Sequence, residues 1–207
     1  MAGKKFYLKA FGILSVIIVM SVLAGGCTAQ SGEDTITFKE AEDLIDQGSE
    51  KIFSIDWNRD NPENIRSQLS SAEVDFKIVF DSLSLINPDN FDESKEIYAM
   101  RAISCANLEL ISSLMDLANV IEHYNNADYF ASTYEKYNWE MEIKTADSAL
   151  ASARNKLNSA ITRLNGINMN EVPFDMQGEI TGMKVQYSGL NRLMTNLAAE
   201  FSEALDN

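Results

Sequence analysis

Histidine, cysteine and proline are nearly missing from this sequence, at one, two and three residues in 207. A single His, with no His-x-x-His or Cys-x-x-Cys pair, leaves no ligand spacing for zinc, and no Gly-rich loop is placed to cradle a phosphate. No metal and no cofactor are therefore expected. Three Pro and 10 Gly are too few for a turn-rich all-β fold. Positive charge is scarce too: 17 Lys and Arg stand against 31 Asp and Glu, a net −14. A body of that sign repels phosphate backbones and makes nucleic acid a poor partner. Carboxylates abound, but no spacing singles out a pair for acid–base work, and no enzyme is expected.

What the chain has instead is apolar residues spaced alternately by three and four. One comb reads Ile65, Leu69, Ala72, Phe76, Val79, Leu83, Ile86; it recurs 81 positions later as Ala146, Leu150, Ala153, Leu157, Ala160, Leu164, Ile167. A second comb, Ile97, Met100, Ile111, Leu114, Ala118, Ile121, recurs at a shift of 83 as Ile180, Met183, Met194, Leu197, Phe201, Ala204. Such spacing marks one face of a helix. Loop and cap residues repeat as well: Ile86-Asn87 answers to Ile167-Asn168, and Phe91-Asp92 to Phe174-Asp175. The pattern predicts an all-α fold of four long antiparallel helices, two duplicated helical hairpins (about 57–125 and 138–207) closing as an up-down bundle. A short N-terminal helix precedes them. The Ala72-x-x-x-Phe76 element before Asn87-Pro88 resembles tetratricopeptide repeats, but that family's period is about 34 residues and its helices are far shorter.

The N-terminus points to a compartment. Lys4-Lys5, an apolar run from Phe11 to Leu23 and then small residues form the layout of a secretory signal. The end of this segment, Leu23-Ala24-Gly25-Gly26-Cys27, resembles the lipobox of prokaryotic lipoproteins. That resemblance covers residues 1–27 only. It implies a diacylglyceryl group on Cys27, cleavage before it, and a membrane anchor for a body facing away from the cytoplasm. The alternative is an uncleaved signal anchor, which leaves the body on the same side. Without the first 27 residues the balance is 14 basic against 31 acidic side chains, −17. Cys105 would then stand alone, with no intrachain disulfide to make. Its neighbours Ala102, Ile103, Ala106 and Leu108 suit a small buried hydrophobe.

Residues 28–36 read as a flexible tether, and 37–207 as one helical domain. Thr37-Phe-Lys-Glu40 is a capping box for a first helix ending near Asp46, before Gly48. Ile52, Phe53, Ile55 and Trp57 are left to cap the core from an irregular turn. Asn61-Pro62 opens the second helix, which stops near Asn87-Pro88. Asp92 caps the third, apolar on several faces and reaching Asn125-Asn126; His123 near its end is favoured by the helix dipole. A fourth helix begins between Asp128 and Glu140 and stops at Asn165-Gly166. Asp175 caps the fifth, reaching about Leu205, where Gly182 and Gly189 answer to Ala99 and Ala106 and suggest close helix approach. Asp56, Asn58 and Asp60 match the first positions of a calcium loop. Asn61 stands where its Gly belongs and Ser67 where its Glu belongs, so capping explains them better.

Aromatic residues cluster at one place. Tyr124, Tyr129, Phe130, Tyr134, Tyr137 and Trp139 fall within 16 residues, mixed with Asn and Asp. Tyr and Trp suit half-wet surfaces that meet partners, so Tyr124, Tyr129, Tyr134, Tyr137 and Trp139 form the candidate binding surface. The competing reading is a structural cap at one end of the bundle, since Trp139 lies one residue from where Trp57 maps in the second copy. The function expected is a membrane-anchored, non-catalytic binding or scaffolding module with a protein partner of the cell envelope. Its rivals are a small-ligand-binding or sensory bundle, and an enzyme using paired acids.

Overall fold

The computed structural model describes residues 36–57, 61–87 and 93–206. Five helices account for nearly all of them: α1 (Phe38–Phe53), α2 (Pro62–Ser84), α3 (Ser94–Ser132), α4 (Lys136–Asn165) and α5 (Phe174–Asp206), with a 3₁₀ turn at Met169–Glu171. The described residues contain no strand, and among them no helix is long and apolar enough to cross a membrane.

Local signals start the helices where expected. The Thr37 hydroxyl accepts from the Glu40 amide (3.2 Å) and the Glu40 carboxylate accepts from the Thr37 amide (2.8 Å), a complete capping box. The Asn61 side chain accepts from the Asn64 amide at 2.8 Å, with Pro62 in the first turn. The Asp92 cap lies outside the described residues. Asp175 sits inside the first turn of α5 rather than capping it, because α5 begins one residue earlier, at Phe174.

Two helices overrun their expected ends. α1 continues through Gly48 to Phe53. Gly48 is no stop here: a Cβ at that position would lie 2.7 Å from Phe76 Cε2, so the missing side chain makes room for the ring. α3 passes Asn125-Asn126 by two turns and ends at Ser132. His123 is therefore well inside the helix, where the terminal dipole has faded.

The pairings between helices follow from their side-chain bonds. Across α3 and α4, Glu109 meets Arg163, Asp116 meets Lys156 and His123 meets Glu142, so the two run antiparallel. Lys51 reaches Asp75 and Ser54 reaches Gln68, which makes α1 and α2 antiparallel. Arg66 near the start of α2 meets Asn119 and Glu122 late in α3. Asn107 meets Tyr187 and Tyr124 meets Phe201, so α5 runs parallel to α3.

α3 is the inner helix. It buries residues on more than one face, including Ile97, Ile103, Leu110, Leu117, Val120 and the polar Ser104, Asn107 and Ser113. α4 presents Ala146, Leu150, Ala153, Leu157, Ala160 and Leu164 to it, all buried. Alternating Ala with Leu lets backbones approach closely, and the Ser113 hydroxyl donates to the Ala153 carbonyl at 2.7 Å. Every member of the four combs is buried except Ile86 and Ala204. Close approach at Gly182 and Gly189 is not what the fold uses them for: a Cβ at either would have nothing within 4 Å.

The two kinds of glycine separate in a denaturation experiment. Gly48→Ala is expected to destabilise by about 1–2 kcal/mol, since overpacking against the fully buried Phe76 outweighs the gain in helix propensity. Gly182→Ala, in open space, is expected to stabilise by up to about 1 kcal/mol. A gain in stability at both sites would overturn the assignment of Phe76 as the neighbour that matters.

Candidate functional site

α3 and α4 are joined by a tight turn at Thr133–Glu135, and this turn ends α3 in a Schellman motif. The Glu135 amide donates to the Phe130 carbonyl (3.0 Å) and the Tyr134 amide to the Ala131 carbonyl (3.4 Å). The motif needs one residue in the left-handed region, usually Gly. Here it is Tyr134, at φ 61°, the one non-Gly residue with positive φ among those described. An L-residue with a Cβ pays roughly 1–2 kcal/mol for that conformation.

The turn also extends past the neighbouring ends of α2 and α5. α3 continues eight residues beyond Tyr124, whereas α5 continues five beyond Phe201, the ring on which Tyr124 stacks. α2 reaches only four residues beyond Arg66, while its partner Glu122 lies ten residues before Ser132. At 1.5 Å per residue the α3–α4 tip overtops α2 by about 9 Å.

The five candidate aromatics divide into two sets. Tyr124 and Trp139 are half-buried supports: Tyr124 stacks on Phe201 with centroids 6.3 Å apart, and Trp139 packs against the core. Trp57, just before α2, packs against the same core, which agrees with a cap formed by the two Trp. Tyr129, Tyr134 and Tyr137 are the outer set, 62%, 91% and 75% exposed. Tyr129 meets Phe130 edge-on at 5.4 Å. Below the tip, His123 Nδ1 lies 2.7 Å from Glu142 Oε2, tying α3 to α4. The five aromatics thus form two layers, a half-buried pair against the core and an exposed outer set.

Most polar donors at the tip are turned inward. The Ser132 hydroxyl donates to the Tyr129 carbonyl (2.6 Å), the Thr133 hydroxyl lies within reach of Phe130 O and Glu135 Oε1 (both 3.2 Å), and the Asn138 amide donates to Glu135 Oε2. Lys136 pairs with Glu140 one turn along α4 at 3.7 Å. What faces solvent is three phenol rings, carboxylates and the single ammonium of Lys136.

Two other places were not visible in the sequence. A groove of about 520 Å³ is lined by Glu109, Asn155, Asn158, Ser159, Thr162 and Arg163. Arg163 gives two bonds to Glu109 Oε1 (3.0 and 2.6 Å), and the Ser159 and Thr162 hydroxyls are spent on carbonyls of their own helix. Partners 54 positions apart leave no local signal. Nearby, burial pushes the Cys105 thiol up from its ordinary pKa, which favours the unreactive thiol. The second place is where carboxylates of α1 and of the start of α5 come near enough to feel one another. Glu179 is largely buried there, and burial followed by the Asp46 charge raises its pKa to about 7. Glu42 and Asp46 are raised as well, chiefly by burial and then by their acidic neighbours.

No group of three or more His, Cys, Asp or Glu that could hold a metal occurs among the described residues. Asn58 and Asp60 of the calcium-like run lie outside them, as does Cys27.

Two measurements test this geometry. Tyr134→Gly is expected to raise the unfolding free energy by about 1 kcal/mol, because Gly enters the left-handed region without strain; no gain would mean the turn is not strained. For Glu179, a folded pKa above the unfolded value means the native state keeps a proton that the unfolded chain has released. Its contribution is full below about pH 4.5 and is lost as pH rises through about 7, with a ceiling of ~3 kcal/mol. Glu179→Gln should flatten stability over that window in a pH series of chemical denaturation, and an unchanged slope would refute the assignment.

No protein-family model, no curated protein and no solved structure matches this chain, so its function has to be argued from the geometry.

Proposed function

We propose that this protein is a lipid-anchored, extracytoplasmic binding module that works by scaffolding and not by catalysis. Its body is read as an up-down bundle of four long antiparallel helices, α2 to α5, built from two duplicated hairpins (about 57–125 and 138–207) with α1 laid against them. The antiparallel pairs and the near-complete burial of the four combs support that architecture. Diacylglyceryl at Cys27 moors the chain through the 28–36 tether, two acyl chains being enough to hold a protein on a bilayer where one is not. The signal-like residues 1–27 support this part of the reading.

The α3–α4 tip is the binding face, and the partner is a protein of the cell envelope. One observation carries this: a Tyr occupies the left-handed position of the turn, at a cost in stability, with two further exposed Tyr rings beside it. A side chain retained where the backbone prefers Gly points to use rather than packing. Tyr134 is 91% exposed and does not pack into the core. The rival reading, a small ligand held between helices, leans on the groove at Glu109 and Arg163, where Arg163 is held by Glu109 Oε1 while Glu109 Oε2 is buried without a hydrogen-bond partner.

A photo-crosslinking residue at position 137, compared with one at exposed position 192 on α5, tests the binding face in cells of the native host. A discrete adduct is expected from 137 alone. No adduct at 137, or the same adduct from both positions, would sink the tip as the binding face. Cys27→Ser tests the anchor separately: the protein should cease to take up a fatty-acid label.

A further inference from the structure

We propose that the tip takes a Lys- and Arg-rich segment of its protein partner, seating the cations on the exposed Tyr rings; this rests on the reading of the tip as the binding face. A phenol ring offers a negative π face to a cation within about 6 Å. Tyr129 near the end of α3, Tyr134 in the turn and Tyr137 at the start of α4 present three such rings. Between Asp128 and Glu140 the charged residues are Asp128, Glu135, Lys136 and Glu140. The single cation among them is offset by its Glu140 neighbour at 3.7 Å. The tip therefore carries an excess of two negative charges, on a chain whose net charge is −14.

The remaining polar groups narrow the ligand further. The Ser132, Thr133 and Asn138 donors are spent within the turn, so the open polar groups there are the Tyr hydroxyls, Lys136 and the carboxylates. Glu135 accepts from Thr133 and Asn138, and a carboxylate with four lone-pair sites can accept again. The π faces and the Glu135 carboxylate match an ammonium or guanidinium, which has donors only. Charge excludes the other occupants: a second copy of this chain, an anionic lipid surface and a nucleic acid are all repelled by the acidic body. The same field steers a basic segment toward the tip and raises its rate of encounter.

The experiment uses the full chain in detergent and an octapeptide of alternating Lys and Arg as the probe, with affinity read by calorimetry at two salt concentrations. Binding is expected to weaken with salt. Tyr129→Ala with Tyr137→Ala, which leaves the turn residue and the net charge untouched, should weaken it about fivefold to thirtyfold. The corresponding pair of Phe variants should stay within about threefold of the parent, because Phe keeps the π face. Thermal melts check that the Ala pair still folds. Undiminished binding by the Ala pair would mean diffuse charge attraction and would overturn the proposal. Tighter binding of a neutral N-acetylglucosamine hexamer than of the peptide would overturn it too. If crosslinking at 137 finds a partner while the peptide fails, the binding face stands and only its basic chemistry falls.

Discussion

Helix α3 cannot be left in water. Apolar side chains emerge from it on several sides, and none of its 39 residues is charged between Arg101 and Glu109 or between Asp116 and Glu122. Burial of that much hydrocarbon dominates the energetics of a chain this size, and the other helices are arranged as its cover. α4 lies closest because its Ala residues let it, α2 takes a second side, and α5 runs along a third through Tyr187 and Phe201. Polar atoms inside this packing are few, and some, such as Ser104 Oγ and Asn107 Nδ2, have no hydrogen-bond partner. The fully buried Tyr187 hydroxyl donates to Asn107 at 2.8 Å, and burial lifts its pKa well above the ordinary value.

The combs were legible because the period of an amphipathic stripe is a direct image of burial. Ile65 to Leu83 and Ala146 to Leu164 went where their spacing placed them. Helix starts were legible for the same kind of reason: Thr37 with Glu40, and Asn61 with Pro62, satisfy amides within one turn. Two helix ends were not, those of α1 and α3, although Asn165-Gly166 closed α4 where expected. Gly48 carries the usual mark of a stop, but its meaning depends on Phe76, 28 positions away. Tyr134 ends α3 without any mark of a stop, since its left-handed conformation is imposed by the turn and not by its own preference.

The aromatic cluster was legible as a cluster but not as two layers. Nothing in the spacing of Tyr124, Tyr129, Tyr134, Tyr137 and Trp139 says which rings face the core. That depends on α3 running on to Ser132, which carries Tyr129 outward while Tyr124 stays against Phe201. The polar contacts were hidden altogether. Glu109 with Arg163 and His123 with Glu142 exist because of the antiparallel register between α3 and α4, a property of two helices at once.

The clasp between α1 and α2 has a mechanical side. Every residue ahead of Ile36 is linked to the body through α1, so any load arriving from the proposed mooring must pass along that helix. Its first turns, around Ala41 and Ile45, lie nearest the pull, while the socket of Gly48 for Phe76 and the tie from Lys51 to Asp75 lie farthest from it. Tension would therefore peel α1 from its leading edge and meet its firmest resistance last, letting the chain lengthen toward the proposed anchor before the inner helices feel any strain.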